Sequence, residues 1–401
     1  SVTVMLLLVL YLAVYVGIFT ASSSYLNDKL SVPFFVSAPF IWVLLEYVRG
    51  VLFTGFPWSF LAHSQHGFLT LIQAASITGT YFLSFLIVAA NCILYGLFTV
   101  FCQRRTNGRK LKVGFVVYTI IIIAFFVASC VYGHMRLKTT CEGNLKAVIV
   151  QGNIKQDVKW DESFKIRTMN KYLMKTSESG RGADIVVWPE TAMPFVFDDE
   201  KHINVFIREA PVVLQTNLLF GTVSRDRLGK YRNSAYFIDS NGRQAGVYSK
   251  VHLVPFGEYT PLVAYLPFLL KFTAAGGDFA PGESNSPIDT PLGKIGMLIC
   301  YEGTFPTITV ETVKKGAEVL VNLTNDAWYD RTSAPYQHLV FYIFRAIEAD
   351  RYVLRAANTG ISTIIDPRGR IRQQTGLFEE DIMSGTFSLK NDKTPYVIYG
   401  D

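Results

Sequence analysis

The chain has 401 residues, of which half are hydrophobic and 17% charged, with a net charge of +6 and a mean hydropathy of +0.26. These values exclude a disordered polyelectrolyte and argue against an ordinary soluble enzyme, in which about a quarter of the residues are charged. Five cysteines form neither a disulfide framework nor a zinc spacing, and much of the basic excess sits in one short stretch, which speaks against nucleic-acid binding. The sequence starts at Ser1 without an initiator Met, which points to a piece of a longer protein.

In chain order, residues 1–136 carry long uncharged runs. About 20 apolar residues in a helix cross a hydrocarbon core, which predicts spans near 2–21, 34–53, 81–101 and 113–133. Gly79 is expected to break the long third run, and the segment before it to lie at the interface. Glu46 and Arg49 interrupt the second span at an i,i+3 spacing that favours mutual pairing, although ionisable groups inside a span also mark interior or functional positions. The loop Gln103–Lys112 holds Arg104, Arg105, Arg109, Lys110 and Lys112. Short loops rich in Lys and Arg stay in the cytoplasm, so everything after His134, and the loop with Gly55-Phe56-Pro57-Trp58, is expected on the opposite side.

Residues 145–391 read as a layered α/β domain. Strands are expected at Ala147–Gln151, Ala183–Trp188, Leu218–Ser224, Ser234–Ile238, Gln244–Tyr248, Lys294–Cys300, Glu318–Leu323, Tyr352–Ala356 and Ser362–Ile365. Helices are expected at Asp161–Ser179 and Ala334–Arg351. Ser240-Asn241-Gly242 should turn a hairpin. The apolar segment Leu262–Leu270, bounded by Pro261 and Gly276-Gly277, is too short to span and reads either as a buried loop or as one that dips into lipid.

Glu190, Lys250 and Cys300 each follow an apolar strand, where side chains converge on one crevice. A thiol is mostly protonated at neutral pH and needs a base or a neighbouring cation. A carboxylate can take its proton, and an ammonium can stabilise the thiolate and a later oxyanion. The backbone N–H of Tyr301 is a natural second oxyanion donor. Taken singly, such a cysteine is more often a small core residue, the carboxylate a turn residue and the lysine a solvated strand end.

Together with their flanks these residues form blocks. Trp188-Pro189-Glu190-Thr191, Tyr248 to Tyr259 (with Lys250 and Glu258) and Ile299-Cys300-Tyr301-Glu302 resemble the signature blocks of the carbon–nitrogen hydrolase (nitrilase) superfamily. Arg345-Ala346-Ile347-Glu348 and Arg355 to Gly360 fit its later block. The multi-span N-terminal region, Gly55-Phe56-Pro57-Trp58, and Gln151-Gly152-Asn153 with Trp160 downstream are similar to the bacterial apolipoprotein N-acyltransferase family.

The resemblance implies an αββα nitrilase-like sandwich preceded by a transmembrane helical bundle. It implies Glu190 as general base, Lys250 as oxyanion-stabilising cation and Cys300 as nucleophile, with Glu258, Tyr301 and Glu302 in support and Trp160 near the substrate. The bland readings are a salt bridge for Glu258 and Glu302, and core packing for Trp160 and Tyr301. The implied reaction moves an acyl chain from a phospholipid, through a cysteine thioester, to the α-amine of a diacylglyceryl-cysteine apolipoprotein. It needs no cofactor or metal, and takes place in the bacterial inner membrane with the catalytic domain of a monomer on the periplasmic face. A membrane-anchored amidase or nitrilase is the alternative. The family has about eight spans, so the resemblance also implies that the first spans and a last one, after Tyr399-Gly400-Asp401, lie outside this sequence.

Overall fold

The structure is a computed structural model that describes residues 2–107, 113–261 and 279–401. The segment Leu262–Leu270 with its flanking Gly276-Gly277, and the basic residues Arg109, Lys110 and Lys112, lie outside the described residues. The chain divides into two compact units, one of residues 1–139 and one of residues 140–400.

The first unit is helical: α1 (Val2–Lys29), α2 (Phe34–Val51), α3 (Leu69–Ile72), α4 (Ala75–Asn107) and α5 (Val113–Leu137). Four helical stretches, Met5–Lys29, Phe34–Thr54, Ala75–Cys102 and Val113–Leu137, are long and apolar enough to cross a membrane. Their outward faces carry Leu10, Phe40, Phe98 and Ile120, all well exposed; apolar surface on this scale belongs in lipid rather than water. Gly79 breaks the helical run of α4 with φ 66° and ψ −170°, a conformation open to glycine. Closeness between α5 and α3 depends on Gly133, where a Cβ would fall 1.8 Å from the Thr70 carbonyl oxygen.

The expected Glu46–Arg49 pairing is replaced by separate partners. Glu46 is buried, and its Oε1 accepts from Trp42 Nε1 at 3.0 Å and from the Leu61 N–H at 2.9 Å. The Arg49 guanidinium lies 5.1 Å from the centre of the Phe60 ring. Indole, backbone and ring thus hold the two side chains, while their opposite charges still attract each other.

The second unit runs β1 (Leu145–Gln151), α6 (Gln156–Lys159), α7 (Lys165–Ser179), β2 (Ile185–Val187), β3 (Met193–Val196), α8 (Lys201–Leu214), β4 (Asn217–Arg225), β5 (Tyr231–Ile238) and β6 (Gln244–Ser249). After the undescribed segment come β7 (Ile288–Thr290), β8 (Gly293–Ile299), α9 (Pro306–Lys314), β9 (Val319–Thr324), α10 (Ala334–Ala349), β10 (Val353–Ala357), β11 (Thr363–Ile365), β12 (Ile371–Gln374), β13 (Asp381–Phe387) and α11 (Pro395–Tyr399). One sheet has the order β13-β1-β2-β4-β5-β6 with β3 beside β4, and the other has the order β12-β11-β10-β9-β8-β7.

Strand alternation explains the layering. In β1, Ala147 and Ile149 join Val187, Phe237, Met297, Val321 and Leu354 in a buried core between the sheets. The alternate residues Val148 and Val150 pack with Met169 and Tyr172 of α7 and Ile203 and Ile207 of α8 in a second core. Inward- and outward-facing residues thus both find apolar cover, as a sheet buried on two faces requires. With α10 buried along most of its length, the unit is an αββα sandwich.

Helix α7 begins later than its Asp161 start signal suggests. The Asp161 carboxylate accepts from the Ser163 N–H at 2.9 Å and caps a 3₁₀ turn over Glu162–Phe164 instead, and the α-helix follows. Gly221 in β4 faces the segment after β2: a Cβ there would lie 2.6 Å from both the Pro189 oxygen and the Thr191 nitrogen, and 2.7 Å from the Glu190 Cα. A Gly221→Ala variant is predicted to lose about 1–3 kcal/mol through overpacking. The measurement is the thermal unfolding midpoint in detergent, and an unshifted midpoint would contradict this packing.

Candidate active site

Glu190 and Lys250 come from one sheet and Cys300 from the other. β6 delivers Lys250 directly after Ser249, and β8 delivers Cys300 directly after Ile299. β2 ends three residues before Glu190, but the chain still tracks β4: Trp188 N–H donates to Leu219 O at 2.8 Å and Gly221 N–H to Pro189 O at 3.2 Å. The carboxylate is thereby carried past the strand end without a regular ladder.

A continuous hydrogen-bonded chain connects the first two residues. Asn233 Nδ2, on β5, donates to Glu190 Oε1 at 2.7 Å and to Glu258 Oε1 at 3.1 Å. Glu258 Oε2 pairs with Lys250 Nζ at 2.8 Å and accepts the Val254 N–H at 2.8 Å. Lys250 is 1% exposed. Burial by itself would lower its pKa, but Glu258, Cys300 and Glu190 outweigh burial and hold the ammonium charged above the usual lysine range. Burial raises the Glu190 pKa, with Lys250 pulling against it.

Cys300 is partly exposed and has φ 53°, a left-handed backbone that a side chain adopts only under constraint. Burial of the thiol pushes its pKa up to about 12; the Glu190 charge adds to that rise, while the Lys250 ammonium and a hydrogen bond with Thr324 pull it down. The resting group is therefore a thiol, held within electrostatic reach of both a carboxylate and an ammonium.

The expected supporting residues divide by role. Glu302, fully buried, is a clamp: Oε1 accepts from the N–H groups of Val251 (2.7 Å) and His252 (3.1 Å), and Oε2 from the Ile299 N–H (2.6 Å). The Tyr248 hydroxyl also donates to it at 2.9 Å. It joins the turn after Lys250 to the strand before Cys300. Burial raises its pKa to about 7 against the pull of those N–H groups. The side chain of Tyr301 packs edge-on to Phe305 at 5.0 Å, so its packing reading describes the ring. Trp160 is 51% exposed and so is not a core residue. It adjoins Lys159, whose Nζ donates to the Glu190 carbonyl oxygen at 3.0 Å.

Sequence reasoning missed Lys159 and Asn233. Lys159 is 2% exposed, and burial lowers its pKa to about 8. Its one sequence signal is its place in the Gln151–Trp160 stretch; Asn233 sits in an expected strand flank with no signal of its own. His252, packed 4.0 Å from the Phe305 ring, is held near pKa 4 by burial and by Lys250, and so is neutral at physiological pH.

The sandwich and the converging strand ends define a carbon–nitrogen hydrolase domain, and a family model described as "Carbon-nitrogen hydrolase" matches residues 146–391. A second model, "Apolipoprotein N-acyltransferase N-terminal domain", matches residues 1–93. The apolipoprotein N-acyltransferase of Geobacter metallireducens is 40% identical over all of this chain and 77% of its own length. That of Pasteurella multocida is 30% identical over all of this chain and 78% of its own length. Saccharomyces cerevisiae Nit3, of the nitrilase superfamily, aligns with 64% of this chain and 93% of its own at 21% identity and a TM-score of 0.47. The chain belongs to the apolipoprotein N-acyltransferase family.

The signs of the charge effects on the thiol can be tested. Replacing Glu190 by Gln removes a negative charge that raises the Cys300 pKa, whereas Lys250→Met removes a positive charge that lowers it. Titration of thiolate absorbance should therefore give an apparent pKa below the wild-type value in E190Q and above it in K250M. Shifts of the opposite sign would rule out the electrostatic arrangement described.

Proposed function

We propose that this protein N-acylates apolipoproteins at the inner membrane by a two-step transfer through Cys300. In the first step Glu190 takes the thiol proton as the sulfur attacks an ester carbonyl of a phospholipid. The charge that develops on the carbonyl oxygen is met by the Lys250 ammonium and the Tyr301 N–H. The C–O bond breaks, the lysophospholipid oxygen receives the proton from Glu190, and the acyl chain remains as a thioester. In the second step the neutral α-amine of a diacylglyceryl-cysteine attacks the thioester. Glu190 accepts a proton from the amine, the C–S bond breaks, and that proton returns to the sulfur as the N-acylated product leaves.

The electrostatics suit these roles. A thiol of high pKa needs a base at the moment of attack, and Glu190, connected to Lys250 through Asn233 and Glu258, is buried beside it. Lys250 is charged throughout and can stabilise an oxyanion without a proton transfer. The observation that carries the reading is that this buried Glu–Asn–Glu–Lys chain and the constrained cysteine occur in a polypeptide whose first 93 residues match the apolipoprotein N-acyltransferase N-terminal domain. Lipid substrates account for a catalytic domain built onto four apolar helices. The basic Gln103–Lys112 stretch supports a cytoplasmic loop there and a periplasmic catalytic domain.

Incubation with phosphatidylethanolamine should leave acyl mass on the Cys300 peptide in mass spectrometry, and Cys300→Ala should abolish it. Lys250→Met should slow its formation by about 10²–10³-fold, the usual cost of removing an oxyanion-stabilising group. Normal labelling of the alanine variant would remove Cys300 from the reaction. Release of ammonia from small amides, with no N-acylated lipoprotein formed, would favour the hydrolase alternative.

A further inference from the structure

A buried polar cluster lies behind the nucleophile, and the reaction above does not use it. Tyr342 of α10 donates from its hydroxyl to the Cys300 carbonyl oxygen at 2.7 Å, and His338 Nε2, one turn earlier, lies 3.4 Å from the same oxygen. His338 Nδ1 is 2.8 Å from Asp326 Oδ1, and Arg355 Nη2 donates to Asp326 Oδ2 at 2.7 Å. The Arg355 guanidinium also stacks 5.0 Å from the centre of the Tyr342 ring. All four side chains are fully buried. Two glycines make room for them: a Cβ at Gly303 would come within 2.2 Å of the Tyr342 ring, and one at Gly360 within 2.2 Å of Asp326 Oδ2.

Buried ions at this density are retained where they fix a geometry, since an apolar replacement would cost less desolvation. Here two side chains of the network, Tyr342 and His338, converge on the Cys300 carbonyl oxygen, and that carbonyl belongs to a residue with φ 53°. Such a conformation persists where the surroundings over-determine it. The peptide unit is planar and trans, so fixing the Cys300 C=O toward α10 turns the Tyr301 N–H the opposite way. We propose that Tyr342, backed by His338, Asp326 and Arg355, is a positioning residue that sets the Cys300–Tyr301 peptide plane and thereby aims the Tyr301 N–H at the oxyanion of the acyl-transfer step. This rests on the reading of Cys300 as the nucleophile.

The test compares two reactions of the same sulfur in the full chain, in detergent. Acylation by phosphatidylethanolamine passes through an oxyanion; alkylation by iodoacetamide is a displacement that forms none. In Tyr342→Phe, which keeps the ring, acylation should slow about 10- to 100-fold while alkylation stays within about twofold of wild type, because only the oxyanion donor is displaced. His338→Gln should show the same split to a smaller extent. Unchanged acylation in Tyr342→Phe, or equal loss of both reactions in both variants, would overturn the assignment. Wild-type protein that is alkylated at Cys300 but never acylated there would instead sink the nucleophile reading itself.

Discussion

Burying an ammonium is the constraint around which the second unit is arranged. Lys250 is removed from water almost completely, and a lone charge so placed costs several kcal/mol by order of magnitude. Glu258 neutralises it directly, Asn233 holds Glu258 in place, and the same amide nitrogen also donates to Glu190. The buried cation therefore dictates the positions of two carboxylates and an amide on neighbouring segments. Glu302 then fixes the turn after Lys250 to the strand before Cys300, so a further buried carboxylate ties the segment that carries the ammonium to the one that carries the thiol.

The three side chains also differ in how their surroundings set their charge. The thiol is kept protonated, the ammonium is kept charged, and burial raises the pKa of the carboxylate. Three environments within one site set three different proton affinities, the arrangement that the proposed acid–base roles call for. Glu302 and Lys250 are buried more deeply than Cys300.

Much of this was legible along the chain because it is written locally. Apolar runs ended by Pro189 or by Ser240-Asn241-Gly242 mark strands and a hairpin, and the hairpin forms with Ile238 opposite Gln244. Helix α8 escaped notice because Pro211 sits within it, and α9 because its nine residues are rich in β-branched types. Strand β13 was illegible for another reason: its partner β1 is more than two hundred residues away, and the antiparallel register from Leu145↔Phe387 to Gln151↔Asp381 leaves no local trace. Glu190, Lys250 and Cys300 announced themselves through their flanks, whereas Asn233, His338 and Asp326 are single polar residues whose importance exists only in three dimensions.

That Glu190 and Lys250 hang from one sheet and Cys300 from the other has a consequence for the newly made protein. Until the two halves of the sandwich have closed on each other, the Cys300 sulfur has neither the Glu190 carboxylate nor the Lys250 ammonium near it. On the reaction proposed above, maturation of the chain is thus its own safety catch, because acyl transfer waits on closure of the sandwich.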